Sequence, residues 1–241
     1  MQSLVIIPAY NEEKSIERTV ADIINHAPGF DYIIVNDCST DDTKELCRRE
    51  KLPVLNLPVN LGIGGAVQTG YAYAERFGYD VAVQFDGDGQ HDAKYLNAMQ
   101  EFMIQEQADM VIGSRFIKKE GFQSSGIRRL GIRYFTNLIY MLTKNKVTDP
   151  TSGMRMVNRD VIQLFAAHYP KDYPEPESVV AILKAKRKVR EYPVVMRERT
   201  EGTSSISPVK SIYYMVKVTL AILMEKIRPV ERKKNKCYNY N

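Results

Sequence analysis

Two carboxylates two residues apart, Asp86 and Asp88, lie in the stretch Val81-Ala82-Val83-Gln84-Phe85-Asp86-Gly87-Asp88-Gly89-Gln90-His91. The stretch opens with a short apolar run rich in β-formers, which reads as a buried parallel strand. In extended backbone, side chains at i, i+2 and i+4 share a side. The spacing therefore predicts that Asp86, Asp88 and Gln90 offer three oxygens to one point beyond the strand's carboxyl end. Gly87 and Gly89 would leave room for something bulky to reach that point. Hard oxygen donors of this kind suit a divalent cation whose other positions go to water and substrate phosphates. A polar turn after a strand is the competing reading of the same residues.

Such a site needs a sheet behind it. Leu4-Val5-Ile6-Ile7 reads as a strand, broken by Pro8-Ala9-Tyr10-Asn11-Glu12-Glu13, and a helix is expected over 13–26 with Ile16, Val20, Ile23 and Ile24 on one face. Tyr32-Ile33-Ile34-Val35 is a second strand. It runs into Asn36-Asp37-Cys38-Ser39-Thr40-Asp41, where Ser39 or Thr40 is expected to cap the next helix. A short third strand over 54–57 and a helix entered through Asn60-Leu61-Gly62-Ile63-Gly64-Gly65 precede the Asp86 strand. A helix over 94–105 and a strand over 110–112 follow it. This alternation predicts a mostly parallel sheet with helices on both faces, and ligands of open α/β sheets sit outside the strands' carboxyl ends. Later elements are less regular: a mobile basic loop over 116–133, helices over 134–142, 159–168 and 179–188, and an edge strand over 192–196 that Pro193 tolerates.

The chain has 241 residues, 44% of them hydrophobic and 26% charged, as expected of a globular protein. Its three cysteines, Cys38, Cys47 and Cys237, form no C-x-x-C pair, which argues for a reducing compartment and against a disulfide scaffold or a zinc site. No signal peptide and no bilayer-spanning apolar run is read in it. Much of the net charge of +5 lies near the C-terminus, where Lys210, Lys226, Arg228, Arg232, Lys233, Lys234 and Lys236 flank the apolar run 212–224. That pairing predicts a helix in contact with an anionic membrane surface or a small membrane protein; a helix docked on the domain or on a partner, followed by a solvated tail, is the competing reading. Residues 1–208 are read as the catalytic domain and 209–241 as this helix with its basic tail.

Five stretches in order resemble family 2 glycosyltransferases of the GT-A fold: Pro8-Ala9-Tyr10-Asn11-Glu12-Glu13, Asn36-Asp37-Cys38-Ser39-Thr40-Asp41, Asn60-x-Gly62-x-Gly64, Asp86-x-Asp88-x-Gln90-His91 and Gly113-Ser114-Arg115. The Asp-Gly-Asp-Gly-Gln-His form is most similar to the dolichyl- and polyprenyl-phosphate sugar synthases. The resemblance implies a metal-dependent, inverting transfer of a sugar from a nucleotide diphosphate. It assigns Mg2+ or Mn2+ to Asp88 and Gln90, with Asp86 near the metal or the donor ribose. It places Pro8, Ala9, Tyr10, Glu12, Asp37, Gly64 and Gly87 at the nucleotide, Tyr10 stacking on the base, Glu12 at ribose hydroxyls and Asp37 at a base N–H. Cys38 stands where the family has glycine, so positive φ is disfavoured there. Amides at the Gly62–Gly65 helix entry and Arg115 are expected near phosphate. His91 is read as a supporting residue.

In these synthases the region over 116–133 serves as an acceptor loop, which makes Arg128, Arg129 and Arg133, with Ser205 later in the chain, candidates for an acceptor phosphate. Glu177 matches a carboxylate that serves as base when the acceptor is a hydroxyl. The implied acceptor is a polyprenyl phosphate, and the alternative a saccharide hydroxyl in cell-surface polysaccharide assembly. The implied location is cytoplasmic, peripheral on the inner face of the cell membrane. No nucleic-acid partner is implied, and a homo-oligomer is compatible with the sequence. Two other classes fit less well: a nucleotidyltransferase, because Pro8–Glu13 replaces its glycine- and arginine-rich loop, and a non-catalytic nucleotide-sugar-binding subunit, which would have no need of the full ligand set.

Overall fold

In a computed structural model of the chain, the residues described are 1–118, 120, 126–171, 174–197 and 208–227, with backbone alone at 127–128 and 208–212. Seven strands form one sheet: β1 Ser3–Ala9, β2 Phe30–Asn36, β3 Val54–Asn56, β4 Val81–Gln84, β5 Met110–Ser114, β6 Arg155–Asn158 and β7 Val189–Pro193. Their order is β3-β2-β1-β4-β6-β5-β7. All neighbours pair in parallel except β6, which is antiparallel to both β4 and β5. β6 was not expected. It is four residues long and opens with Arg155, so it reads as the end of a turn rather than as a strand.

The helices are α1 Ile16–His26, α2 Thr43–Arg49, α3 Gly62–Arg76, α4 Leu96–Gln105, α5 Gly126–Thr143, α6 Arg159–Ala167, α7 Pro174–Lys184 and α8 Pro208–Ile227. Strand side chains alternate between two cores. Leu4 and Ile6 of β1 face α3, α5, α6, α7 and α8, whereas Val5 and Ile7 face α1, α2 and α4. The inner face of α8 belongs to the first core through Val218 and Ile222, so that helix is docked on the sheet domain. No helix among the described residues is long and apolar enough to cross a membrane.

Four local expectations are corrected. Ile24 is 52% exposed, outside the buried face formed by Ile16, Val20 and Ile23. Neither Ser39 nor Thr40 caps α2. Asp41 Oδ1 accepts the Thr43 N–H, while Ser39 Oγ accepts the Asn11 N–H. Residues 126–133 are helix rather than loop, because Ile132, Phe135, Leu138 and Ile139 repeat at helical spacing into the core. The last strand lies three residues earlier than the apolar Val194-Val195-Met196 implied, though it is an edge strand as expected.

The chain winds from β1 through β2 to β3, then returns to place β4 on the other side of β1. This reversal opens a crevice beyond the carboxyl ends of β1 and β4, where Tyr10 and Asp86 follow their strands.

Candidate active site

A cleft of about 410 Å³ occupies the crevice. Its walls take in Pro8 and Ala9 at the end of β1, Tyr10 and Glu12 just past it, and Asp37 after β2. Asp86, Gly87 and Asp88 line it after β4. These are eight of the positions expected at nucleotide or metal. Asn60, Gly62, Ile63 and Ala66 complete the lining. Ile63 and Ala66 went unremarked in the sequence, yet they follow the Asn60-x-Gly62 motif at helical spacing.

The loops after β1 and β2 are lashed together by reciprocal bonds. The Glu12 N–H donates to Thr43 Oγ1 at 2.9 Å, the Glu13 N–H to Asp41 Oδ2 at 3.1 Å, and the Asp42 N–H to Glu13 Oε2 at 3.0 Å. Asp37 is 3% exposed, and its Oδ1 accepts the Leu61 N–H at 2.7 Å. Oδ2 of this cleft-lining carboxylate accepts no bond from the described residues. Cys38 takes φ 58 despite its side chain, contrary to the expectation; the conformation is held by the flanking bonds from Asn60 Nδ2 to the Asp37 carbonyl and from the Ser39 N–H to Asn36 Oδ1.

The carboxylate pair does not sit on extended backbone. β4 ends at Gln84, residues 87–88 form a turn, and Gly89 has φ 75. The alternation argument therefore fails for Gln90, which does not line the cleft; its carbonyl accepts the Arg197 N–H and its own N–H donates to Asp88 Oδ1 at 3.0 Å. Nor do the glycines clear space only for a ligand. A Cβ on Gly87 would meet the Pro8 carbonyl at 3.1 Å, and one on Gly89 would meet the Arg18 guanidinium at 2.7 Å.

Asp86 is supported from behind. Gln84 Nε2 donates to its Oδ1 at 3.2 Å and Gln84 Oε1 accepts from the Tyr169 hydroxyl at 3.3 Å. Burial, with the Tyr71 phenol adding to it, holds the Tyr169 phenol well above its ordinary range, so it remains a donor. The buried His91 accepts the Asp86 N–H on Nδ1 at 3.0 Å. A backbone N–H can only donate, so a neutral His91 carries its proton on Nε2, 3.7 Å from Asp86 Oδ2. This is the supporting position expected for it.

Several expected residues lie elsewhere. The Gly64 N–H donates to the Lys171 carbonyl at 3.1 Å and the Gly62 N–H to Asn60 Oδ1 at 3.1 Å, so these amides serve the protein rather than a phosphate. Arg115 forms a buried bidentate pair with Asp149, Nε to Oδ2 and Nη2 to Oδ1 both at 2.7 Å. Its guanidinium is turned to the Asp149–Arg155 turn, not to the cleft. Glu191 fastens that turn by accepting the Thr148 and Asp149 N–H groups; burial pushes its carboxyl up, outweighing those bonds. Fully buried Arg155 ties the turn to α7 by donating to the Ser152, Pro150 and Glu175 carbonyls and to Ser178 Oγ. Glu177 is half-buried in the first turn of α7 and does not line the cleft. Arg129 and Arg133 are exposed on α5; the Arg128 side chain and Ser205 fall outside the described residues.

Four carboxylates line the cleft, and no lysine or arginine does among the described residues. This donor set is chemically suited to a hard divalent cation, with Asp86 and Asp88 as the carboxylates on the β4 side. Among the described residues, no group of three or more His, Cys, Asp or Glu side chains is placed to hold a metal alone.

The architecture is GT-A, the class of transferases that use nucleotide-diphospho-sugars. Superposition on glucosyl-3-phosphoglycerate synthase from Mycobacterium tuberculosis, solved with Mn2+, uridine diphosphate and phosphoglyceric acid, gives a TM-score of 0.71 at 19% identity, covering 95% of this chain and 79% of that one. The chain belongs to glycosyl transferase family 2, whose profile matches residues 4–165. It is similar to UDP-N-acetylglucosamine–dolichyl-phosphate N-acetylglucosaminyltransferase of Methanococcus voltae, 30% identical over 77% of this chain and 80% of the relative. It is also similar to undecaprenyl-phosphate mannosyltransferase of Micrococcus luteus, 30% identical over 86% of this chain and 88% of the relative.

Proposed function

We propose that this glycosyltransferase moves a sugar from a nucleotide diphosphate onto a polyprenyl phosphate, with inversion, at the inner face of the cell membrane. One observation carries the donor half: Asp86 and Asp88 open into the same cleft as Tyr10, Glu12 and Asp37. A dianionic or trianionic diphosphate would be repelled by four carboxylates alone, so the cleft calls for a divalent cation between them. Mg2+ or Mn2+ would be held by Asp86 and Asp88, with Gln90 a candidate only through movement of its side chain, and would supply neutralisation of the leaving diphosphate. The Mn2+ and uridine diphosphate of the solved neighbour support this reading.

The protein's own groups do the rest. Tyr10, 48% exposed at the cleft, stacks on the base; Asp37 Oδ2 accepts a base N–H; Glu12 takes ribose hydroxyls. An oxygen of the acceptor phosphate attacks the anomeric carbon as the bond from that carbon to the diphosphate oxygen breaks. Being anionic already, the acceptor needs no base, which leaves Glu177 an acidic residue favourably placed at a helix N-terminus. Arg128, Arg129, Arg133 and Ser205 are the candidates for holding the acceptor phosphate. Both relatives carry a polyprenyl-phosphate acceptor in their names, which supports this half. The test is incubation with labelled nucleotide sugars and membrane lipid extract. The expected result is label in the organic phase that chelator abolishes. Label confined to water-soluble saccharide would overturn the acceptor assignment.

A further inference from the structure

Gln84 is a polar residue at a core position. It is the last residue of β4 and wholly buried. Alternation along the strand turns it to the same side as Ala82, into the core that holds Tyr71, Phe165 and Tyr169. Its register partners are Ile6 on β1 and Arg155 on β6. A buried amide costs stability unless it is bonded, and an apolar side chain would fill the same place without that demand. Both ends of this amide are engaged. Nε2 donates to Asp86 Oδ1 at 3.2 Å, and Oε1 accepts from the Tyr169 hydroxyl at 3.3 Å.

Tyr169 decides which end of the amide meets Asp86. Its hydroxyl donates to the amide oxygen, which leaves the amide nitrogen for the carboxylate. With the amide reversed, oxygen would face oxygen. Tyr71 supplies a comparison within the same cluster. Its ring lies 5.4 Å from that of Tyr169, yet its buried hydroxyl has no hydrogen-bond partner among the described residues.

Gly153 confines the second oxygen of Asp86. A Cβ at this position would stand 2.4 Å from Oδ2 and 3.1 Å from Oδ1. The backbone of the turn that Arg155 holds through the Pro150 and Ser152 carbonyls therefore packs directly on the carboxylate. Asp86 still keeps 35% of its side chain exposed and lines the cleft. Restraint thus reaches it from the buried side of the sheet, and access from the cleft.

From this geometry we infer that Gln84, Tyr169 and Gly153 are positioning residues, which hold the Asp86 carboxylate toward the cleft and thereby set its affinity for a divalent cation. Partners behind a metal-binding side chain fix its orientation before the ion arrives. The inference rests on the metal-assisted reading proposed above, and it adds a dependence on residues that touch neither metal nor donor.

The test is calorimetric titration of Mn2+ into the full chain in the presence of each common nucleoside diphosphate, with thermal unfolding measured alongside. Gln84→Met, apolar and similar in volume, is expected to raise the Mn2+ Kd by about tenfold or more, and so is Gly153→Ala. Tyr169→Phe is expected to raise it by about threefold or more, acting through the amide. Tyr71→Phe removes an unbonded hydroxyl from the same cluster and should leave the Kd unchanged. A merely structural role would lower thermal stability without separating the two phenylalanine variants in Mn2+ affinity. If Gln84→Met fails to fold, the comparison of Tyr169→Phe with Tyr71→Phe decides alone. Undiminished Mn2+ affinity in folded Gln84→Met overturns the inference, as does a loss in Tyr169→Phe no larger than that in Tyr71→Phe. If the parent chain takes up no Mn2+ with any of the nucleotides, the metal reading of the cleft falls and this inference with it. A parent that binds Mn2+ beside variants that bind it equally well sinks this inference alone.

Discussion

Gly64 offers a sharp test of how the cleft is built. A Cβ at this position would stand 2.1 Å from the Pro170 carbonyl oxygen and 2.3 Å from that of Lys171. Close C···O contacts run at about 3.3 Å, so Gly64→Ala must push α3 and the 170–171 backbone apart by roughly 1 Å. That movement breaks the 3.1 Å bond from the Gly64 N–H to the Lys171 carbonyl. The lost bond costs about 1 kcal/mol and the overpacking about 1–3 kcal/mol. The better helix propensity of alanine returns about 0.5–1 kcal/mol. The net expectation is a loss of roughly 1–3 kcal/mol, read from the urea midpoint at unchanged slope. Gly62 and Ile63, beside Gly64, line the cleft, so the KM for donor should rise as well. Gly29→Ala, where nothing lies within 4 Å, is the control and should stay within about 0.5 kcal/mol of the parent. A Gly64→Ala protein as stable as that control would refute the packing argument.

Other substitutions probe the supports of the site. Arg115→Met strands the fully buried Asp149 carboxylate and should cost about 3 kcal/mol or more; a loss under about 1 kcal/mol in urea unfolding would contradict the buried pair. Cys38→Gly relieves the αL cost of a side-chain-bearing residue, about 1–2 kcal/mol, against about 0.5–1 kcal/mol of added chain entropy. It should leave stability unchanged or up to about 1.5 kcal/mol higher, and a clear destabilisation would show that the thiol contact with the Pro58 carbonyl matters more than strain. Burial pushes the Asp22 carboxyl up, but Arg197 and the Ala93 N–H outweigh it and hold it below the usual carboxylate range. Ionised Asp22 therefore stabilises the fold above that range, and the contribution is lost as pH falls through the lowered value. Arg197→Ala should flatten the decline in stability between about pH 5 and pH 3; an unaltered slope would remove Arg197 as the cause.

The donor side was legible in the sequence because it consists of loops that follow strands. Apolar runs ending in Pro8, Asn36 and Phe85 fix where the chain leaves the sheet, and residues just past such exits gather at one edge. The helix α1 was legible from its apolar period, and α3 and α4 from their places in the strand–helix alternation. What the sequence hid was set by long-range pairing. β6 owes its place to neighbours on both sides, and Arg115 finds its partner 34 residues away in Asp149. The Gly64 amide is claimed by Lys171, which no local pattern connects to it. Period-2 geometry does not reach Gln90, because the strand stops at Gln84. Cys38 shows that tertiary bonds impose a backbone conformation that residue type alone argues against.

The central claim, that Asp86 and Asp88 bind the donor's diphosphate through a divalent cation, is tested most directly by calorimetry with each of the common nucleoside diphosphates, with and without Mn2+ or Mg2+. At least one nucleotide should bind in the presence of metal and be lost with chelator, and Asp88→Asn should weaken that binding by about tenfold or more while leaving thermal unfolding in place. Equal nucleotide binding without metal, or undiminished metal-dependent binding by Asp88→Asn, would contradict the account.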